Sequence, residues 1–536
     1  MAQTETNTDL LTPGQVSLNS SIAATNTPAT NAPSAISAAT PTPAPTAAAS
    51  IPSMTEAAPA TSPSSAASNI PISILAALMT LASLGGFLLY QCGLTRAKNC
   101  GHTSTLLLVG VLLGLTGYWI GGFAVQTGGI GDTHAALVQP LPQAERSALD
   151  HELGFMALGH HWGIMGSSGF FLATDDSARN GIPSLFLVQA ALLAIALAAA
   201  LGAALERGRL LAMGCCAYLI GVLIYPLLAN WIWGGGWLAE LGREFGLGHG
   251  FVDLGGACVV HQTAGTLALV IAMSLGPRYG RFGRNKPSRI IPGHNVPFIV
   301  LGSIVLLISW TAANAFSCTA LSDPASPNTG SSAGLAAINT LLAATAGLLV
   351  SFILSAWQKR RPEPARLCRG LLGGAVASSG CAGLIDPWAA FIIGIIAGLL
   401  VEAAMGWLER RRIDDPVGAA AVHGAGGAWG VLAVGLFANG TAGYGLNGVA
   451  TPVRGFFFGG AWHQLAAQII GCITGFVVIY VLGYFFVHLV QKILGNRVDL
   501  ADETSGLDWP ELGALGYQGD EEMEGSADGS KASPEK

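Results

Sequence analysis

Charged side chains are scarce in this 536-residue chain: Asp, Glu, Lys and Arg together make up 10% of it. A soluble globular domain carries about 25%, so a chain this depleted cannot clothe its body for water. A soluble enzyme and a nucleic-acid-binding protein are excluded on that ground. The nine cysteines include no CxxC spacing and fall mostly in or beside apolar runs, where a thiol behaves as a small hydrophobe. No metal site, cofactor or disulfide framework is therefore expected. Residues 1–70 lack aromatic and long aliphatic side chains almost entirely and are rich in Ala, Pro, Ser and Thr. Such a segment cannot bury enough surface to offset its ordering entropy and reads as a disordered tether. It also lacks a basic stretch followed by an apolar one, so it is not read as a cleavable signal peptide.

Apolar residues are abundant, at 51%. They recur in blocks of roughly 20, the length a helix needs to cross a hydrocarbon core of about 30 Å. Eleven candidate spans result, near 73–94, 104–127, 183–204, 210–231, 254–275, 294–314, 334–356, 369–385, 388–407, 417–437 and 464–490. The eighth is short and Gly-rich. The chain divides into a tail (1–70), a membrane domain (71–492) and an acidic tail (493–536) carrying Asp499, Asp502, Glu503, Asp520, Glu521, Glu522 and Glu524. Cytoplasmic connections are enriched in Lys and Arg. With the first end outside, 21 of the 25 basic residues fall inside, and only Arg146, Arg179, Arg243 and Arg454 fall outside. The reading is an all-α integral membrane fold with the N-terminus out and the C-terminus in.

Two stretches match each other. Asp253 opens DLGGACVVHQTAG and Asp415 opens DPVGAAAVHGAGG, with Gly256/Gly418, Ala257/Ala419, Val260/Val422, His261/His423 and Gly265/Gly427 in register. On this topology they enter the membrane from opposite sides, as spans five and ten. The chain is then a five-plus-five inverted repeat followed by a long final helix, an organisation that puts transport sites near the midplane. Eight residues at 1.5 Å carry each histidine roughly 12 Å along its helix, so both are expected at mid-membrane. An ionisable side chain there marks function by default. Two neutral rings in a dry site can share one hydrogen bond. The small residues around them permit close helix approach and by themselves signify packing.

DLGGACVVHQTAG, LGPRYGRFG, GHNVPFIVLGS with Trp310 and Asn314, and RIDDPVGAAAVHGAGGAWGVLAVGLFA resemble, in order and spacing, the signature segments of the ammonium transporter (Amt/Mep/Rh) family. So do GGFLLYQCGLTRAKN in the first span and GLD at 506–508. The resemblance implies an eleven-helix homotrimer in a plasma or bacterial inner membrane, with one pore per subunit passing ammonium or ammonia and no catalysis. It makes His261 and His423 the pore histidine pair. It makes Trp233 and Ser317 the vestibule groups that attract and hydrogen-bond ammonium, and Asp253 the acidic residue that holds the vestibule together. It also implies that a trimeric nitrogen-status signalling protein can close the cytoplasmic mouth.

The chain departs from the family at two places. The two phenylalanines that close the vestibule align with Leu192 and Ala313; Phe316 lies three residues further on. The connection from about 128 to 180 is long and carries Asp150, His151, His160 and His161 without a compelling ligand spacing. A non-conducting ammonium sensor of the same fold is the alternative reading that the missing gate raises.

Overall fold

The computed structural model describes residues 64–128, 149, 151–173, 181–283, 288–319 and 331–517. Most of the N-terminal tail, Asp150, and the acidic residues after 517 lie outside them. Ten helices are long and apolar enough to cross a membrane. They are α1 (Pro71–Leu94), α2 (Ala97–Thr127), α3 (Gly181–Ala204), α4 (Leu210–Phe245), α5 (Ala257–Leu275), α6 (Val296–Ser317), α7 (Ser332–Trp357), α9 (Pro387–Arg410), α10 (Ala420–Phe437) and α11 (His463–Leu494). The helix of α1 begins at Ser64, inside the stretch read as tail. α4 is interrupted at Gly234–Gly236 and resumes as the short Trp237–Phe245 helix.

Between α7 and α9 lies α8, Pro364–Ser378, of 15 residues. It starts five residues before the position expected from apolar content. Pro364 sits in its first turn, where a missing N–H costs nothing. Arg366 dilutes the hydropathy of that turn and is accommodated by an ion pair with Glu402 at 2.8 Å. The residues beyond Ser378, expected to continue the span, form turns up to Ile385.

The long connection also differs from expectation. It carries an antiparallel hairpin, β1 (Glu152–Ala157) and β2 (His160–Gly166). Leu158 and Gly159 both take positive φ, 56° and 80°, the backbone of a two-residue hairpin turn whose twist matches the strands. His160 pairs with Glu244 at 2.8 Å and His161 lies 3.8 Å from Glu152. The Trp231 indole N–H donates to the Ile164 carbonyl at 2.8 Å and ties the hairpin to the end of α4.

Buried charge joins the helix ends on one side of the bundle. Arg96, after α1, pairs with Glu206, after α3, at 2.8 Å. Arg278, after α5, reaches Glu206 at 3.3 Å and Asp414, after α9, at 2.8 Å. Arg207 donates to the carbonyls of Leu205, Gly276 and Asp414. Arg497, after α11, pairs with Glu503 at 2.7 Å and donates to the Leu275 and Pro277 carbonyls. Burial opposes ionisation of Asp414, yet the hydrogen bonds and charge of Arg278 hold its carboxyl down at about 2. Two short helices follow, α12 (Leu500–Ser505) and α13 (Asp508–Leu512). Asp508 accepts from the Gly101 and His102 N–H groups at the start of α2. The opposite end joins other termini. Asn230 of α4 donates to the Gln126 and Gly128 carbonyls at the end of α2, and Gln468 of α11 to Val252 before α5.

Candidate functional site: a paired histidine centre

Each histidine sits on a helix start built in the same way. Asp253 accepts from the N–H groups of Ala257, Cys258 and Val259 at 2.7–2.9 Å. Asp415 accepts from those of Gly418 and Ala420 at 3.1 and 2.7 Å. A carboxylate in this position satisfies the orphan donors of a first turn and complements the helix dipole. Three residues after each Asp, Gly256 and Gly418 take φ of +89° and +78°, a conformation that glycine adopts without the penalty of a Cβ. The first turns that follow are π-helical, Ala257–Gln262 and Ala420–Ala425, and each contains the histidine. π-Turns inside helices concentrate at functional sites.

The two helix starts come from opposite ends of the bundle. Asp253 lies beside the end of α4, where the Trp233 indole N–H donates to its carbonyl at 2.7 Å. Asp415 follows Asp414 in the arginine-rich network. They approach so closely that a Cβ on Gly265 would collide with the backbone of Gly424, and one on Gly427 with the Ala257 carbonyl. The matched glycines of the sequence are thus the crossing point of α5 and α10. With the backbones this close, His261 Nδ1 and His423 Nδ1 stand 3.0 Å apart. The rings are 2% and 4% exposed. One nitrogen must donate and the other accept, so two neutral rings satisfy the contact.

α6 supplies one wall. Trp310, Ala313, Asn314 and Ser317 recur at i, i+3, i+4 and i+7, the spacing of one helical face, and all four are buried. Trp310 sets its ring edgewise to both histidines, at 5.1 and 5.5 Å between centroids. Its indole N–H meets no acceptor among the described residues. Asn314 donates to Thr340 at 3.1 Å and abuts Gly255. The Ser317 hydroxyl is engaged by the Ala313 carbonyl at 2.9 Å. Trp233 and Asp253 are therefore brought together. Asp253, however, is buried with its carboxylate occupied by backbone N–H groups rather than turned toward solvent. Leu192 and Ala313 are buried. Phe316 packs with Ala77, Val188 and Ala191 between α1 and α3, in a cluster separate from the one holding Leu192 and Trp310.

Sequence reading missed the α1 contribution. Phe87 stacks 6.1 Å from His423. Phe87, Tyr90 and Gln91 line a cavity with Ala199, Val417 and His423 on the Asp415 side of the pair. The signal was present as two adjacent side chains with polar groups, Tyr90 and Gln91, three and four positions after Phe87; both are buried. Tyr90 donates to the Val417 carbonyl at 3.2 Å and Gln91 to that of Ala198 at 2.7 Å.

A multi-spanning helical protein with ionisable side chains facing each other in its interior, on helices entering from opposite ends, has the architecture of a membrane transport protein. The sequence pattern of the Ammonium Transporter Family matches residues 71–517, and the chain belongs to that family. Its relatives are transporters rather than enzymes. Ammonium transporter Amt2 of Archaeoglobus fulgidus is 30% identical over 83% of this chain and 87% of its own length. Ammonium transporter Amt1 of Haloferax mediterranei is 29% identical over 81% and 76%. Among solved structures, one named Sensor Amt Protein superposes with a TM-score of 0.68 at 28% identity, covering 83% of this chain and 98% of its own. Mep2 of Saccharomyces cerevisiae matches in fold, with a TM-score of 0.64 at 22% identity over 81% and 88%.

Proposed function

We propose that the chain conducts ammonium nitrogen across a cell membrane (plasma or bacterial inner) through a pore centred on His261 and His423. The observation that carries this reading is the 3.0 Å contact between the two rings, held by two similarly built helix starts. In this reading the chain crosses the bilayer eleven times, α8 included, as two inverted five-helix halves plus α11, with the N-terminus outside and the arginine-rich end in the cytoplasm. Trp233, Asp253 and Ser317 form the outer vestibule. There a cation loses water and is compensated by hydrogen bonds and the ring face of Trp233. An intact charge opposes entry into the apolar interior, whereas neutral ammonia enters at far lower cost. Deprotonation near the entrance therefore solves the energetics. The histidine pair then hydrogen-bonds ammonia and can relay the separated proton, and Trp310 adds a donor that meets no acceptor among the described residues. The cavity lined by Phe87, Tyr90 and Gln91 is the inner half of the route. Three such chains assemble as a homotrimer, and the 493–536 tail is the regulatory segment, open to a cytoplasmic nitrogen-status signalling protein.

Leu192 and Ala313 leave the route without an aromatic gate. That absence, with the structural likeness to a sensor Amt protein, favours one second reading: ammonium is bound without being passed. Proteoliposomes separate the two. Ammonium-dependent flux or current above protein-free vesicles supports conduction. Saturable ammonium binding with no flux supports the sensor.

A further inference from the structure

Two thiols meet where the first two spans join. Cys92 lies in the last turn of α1 and Cys100 in the first turn of α2. The Cys92 thiol donates to the Cys100 carbonyl at 3.7 Å and lies 3.3 Å from the Ser104 hydroxyl. The two sulfurs are near enough to interact directly. Both cysteines are free and buried.

The C-terminal tail covers the pair. The Leu507 N–H donates to the Asn99 side chain at 2.9 Å, and Lys98 donates to the Thr504 carbonyl. Asp508, which accepts from Gly101 and His102, also accepts from the Gly516 N–H at 3.0 Å. That bond folds the chain back over the start of α2, where a Cβ on Gly516 would lie 3.3 Å from the Cβ of Cys100. Tyr517 completes a chain of hydrogen bonds. The Thr95 carbonyl can only accept, so His294 Nδ1 donates to it at 2.9 Å. In the neutral ring Nε2 then accepts from the Tyr517 hydroxyl at 2.8 Å. The Tyr517 oxygen in turn accepts from the Cys100 thiol at 3.9 Å.

Docking of the tail therefore decides the chemistry open to Cys100. With the tail docked, Gly516 covers its side chain, Tyr517 holds its hydrogen, and the Asp508 carboxylate occupies the N–H groups that open α2. With the tail lifted, the sulfur meets solvent and those N–H groups are released; donors at a helix N-terminus favour a thiolate. Cys92 stands beside it as a resolving thiol, the arrangement of redox-active cysteines. Cys92 also follows Tyr90 and Gln91 directly, and these line the cavity beside His423. A bond at Cys92 thus bears on that cavity.

We propose that Cys92 and Cys100 are a reversible disulfide site guarded by the docked tail and oxidised by hydrogen peroxide when the tail lifts. In the first step the Cys100 thiolate attacks one peroxide oxygen. The O–O bond breaks, and the departing hydroxide takes up the proton the thiol has lost and becomes water. In the second step Cys92 attacks the sulfur of the resulting sulfenic acid. The S–S bond forms, the S–O bond breaks, and hydroxide leaves as water with the Cys92 proton. The two sulfurs supply the two electrons that reduce the peroxide, and a dithiol reductant reverses the bond. The site stands whether the chain conducts ammonium or senses it.

The full-length protein in detergent, reduced and then exposed to hydrogen peroxide, tests it after quenching with an alkylating agent and mapping by peptide mass spectrometry. A Cys92–Cys100 link should form ahead of oxidation at the less buried Cys215, and dithiothreitol should remove it. In C92S, dimedone should trap a sulfenic acid on Cys100. Y517F and D508N remove hydrogen bonds that hold the tail, and each should speed the link at least about fivefold, the worth of one net hydrogen bond. Oxidation of Cys215 with no Cys92–Cys100 link would overturn the disulfide site. No dimedone adduct on Cys100 in C92S would overturn its role as the attacking thiol. Equal rates in the unsubstituted protein, Y517F and D508N would overturn the guarding by the tail.

Discussion

Asp253 holds three backbone N–H groups and Asp415 holds two, though both stand three residues before a left-handed glycine and eight before a histidine. Around the first, the neighbours are neutral: the Trp233 indole, Asn314 beyond Gly255, and the Ser379 carbonyl. Around the second they are ionic, because Asp414 ties the start of α10 to Arg278 at the end of α5. The histidines differ likewise. His261 meets His423 and Trp310, while His423 also meets Phe87 and borders the cavity. One backbone device thus places both rings, while the surroundings make one end a hydrogen-bonded neutral wall and the other a charged clamp.

The largest effect is expected at the crossing shared by both halves. Gly265→Val forces a branched side chain into the Gly424 backbone, and should cost more than about 4 kcal/mol. Fluorescence-detected size exclusion should show loss of the folded peak; a normal peak would break the shared-crossing description. Next come the two caps. Asp253→Ala leaves three buried donors unpaired and should destabilise by about 3 kcal/mol, and Asp415→Ala by about 2 kcal/mol. Thermal unfolding in detergent should rank them in that order, and equal losses would erase the asymmetry.

The ionic clamp makes a pH-dependent difference. The carboxyl of Asp414 is depressed from the ordinary range near 3.9 to about 2. Its contribution is complete above the unfolded value, and is lost as pH falls from about 4 to about 2. That contribution is about 2 kcal/mol. Asp414→Asn should flatten the fall of melting temperature across that window. The smallest effect is expected on the hairpin. Replacing His160 by Ala breaks a part-buried pair with Glu244 and should shift stability by about 0.5 kcal/mol, read in the same melting assay.

Ten of the eleven expected spans were legible because their apolar runs are long and unbroken. α8 was displaced in the sequence reading because its first turn carries Arg366, which only tertiary pairing with Glu402 makes tolerable. The hairpin at 152–166 escaped because its turn uses Leu158 rather than an Asn-Gly signal. The matched Asp, Gly and His positions foretold the meeting of the rings, since a repeated local device repeats its geometry. The roles of Gly256, Gly265, Gly418 and Gly427 needed three dimensions: a sequence marks a small residue but not which backbone it touches. Phe316, three residues after the gate position, packs against Ala77, Val188 and Ala191, a placement that spacing along the helix does not give.

Ammonium flux into proteoliposomes, measured side by side for the unsubstituted protein, His261→Ala and His423→Ala against potassium as competing ion, goes to the heart of the paired-histidine reading. Each single substitution should lower ammonium flux at least about tenfold or abolish its preference over potassium, since each removes one partner of the same hydrogen bond. Selective flux unchanged in both variants would contradict it.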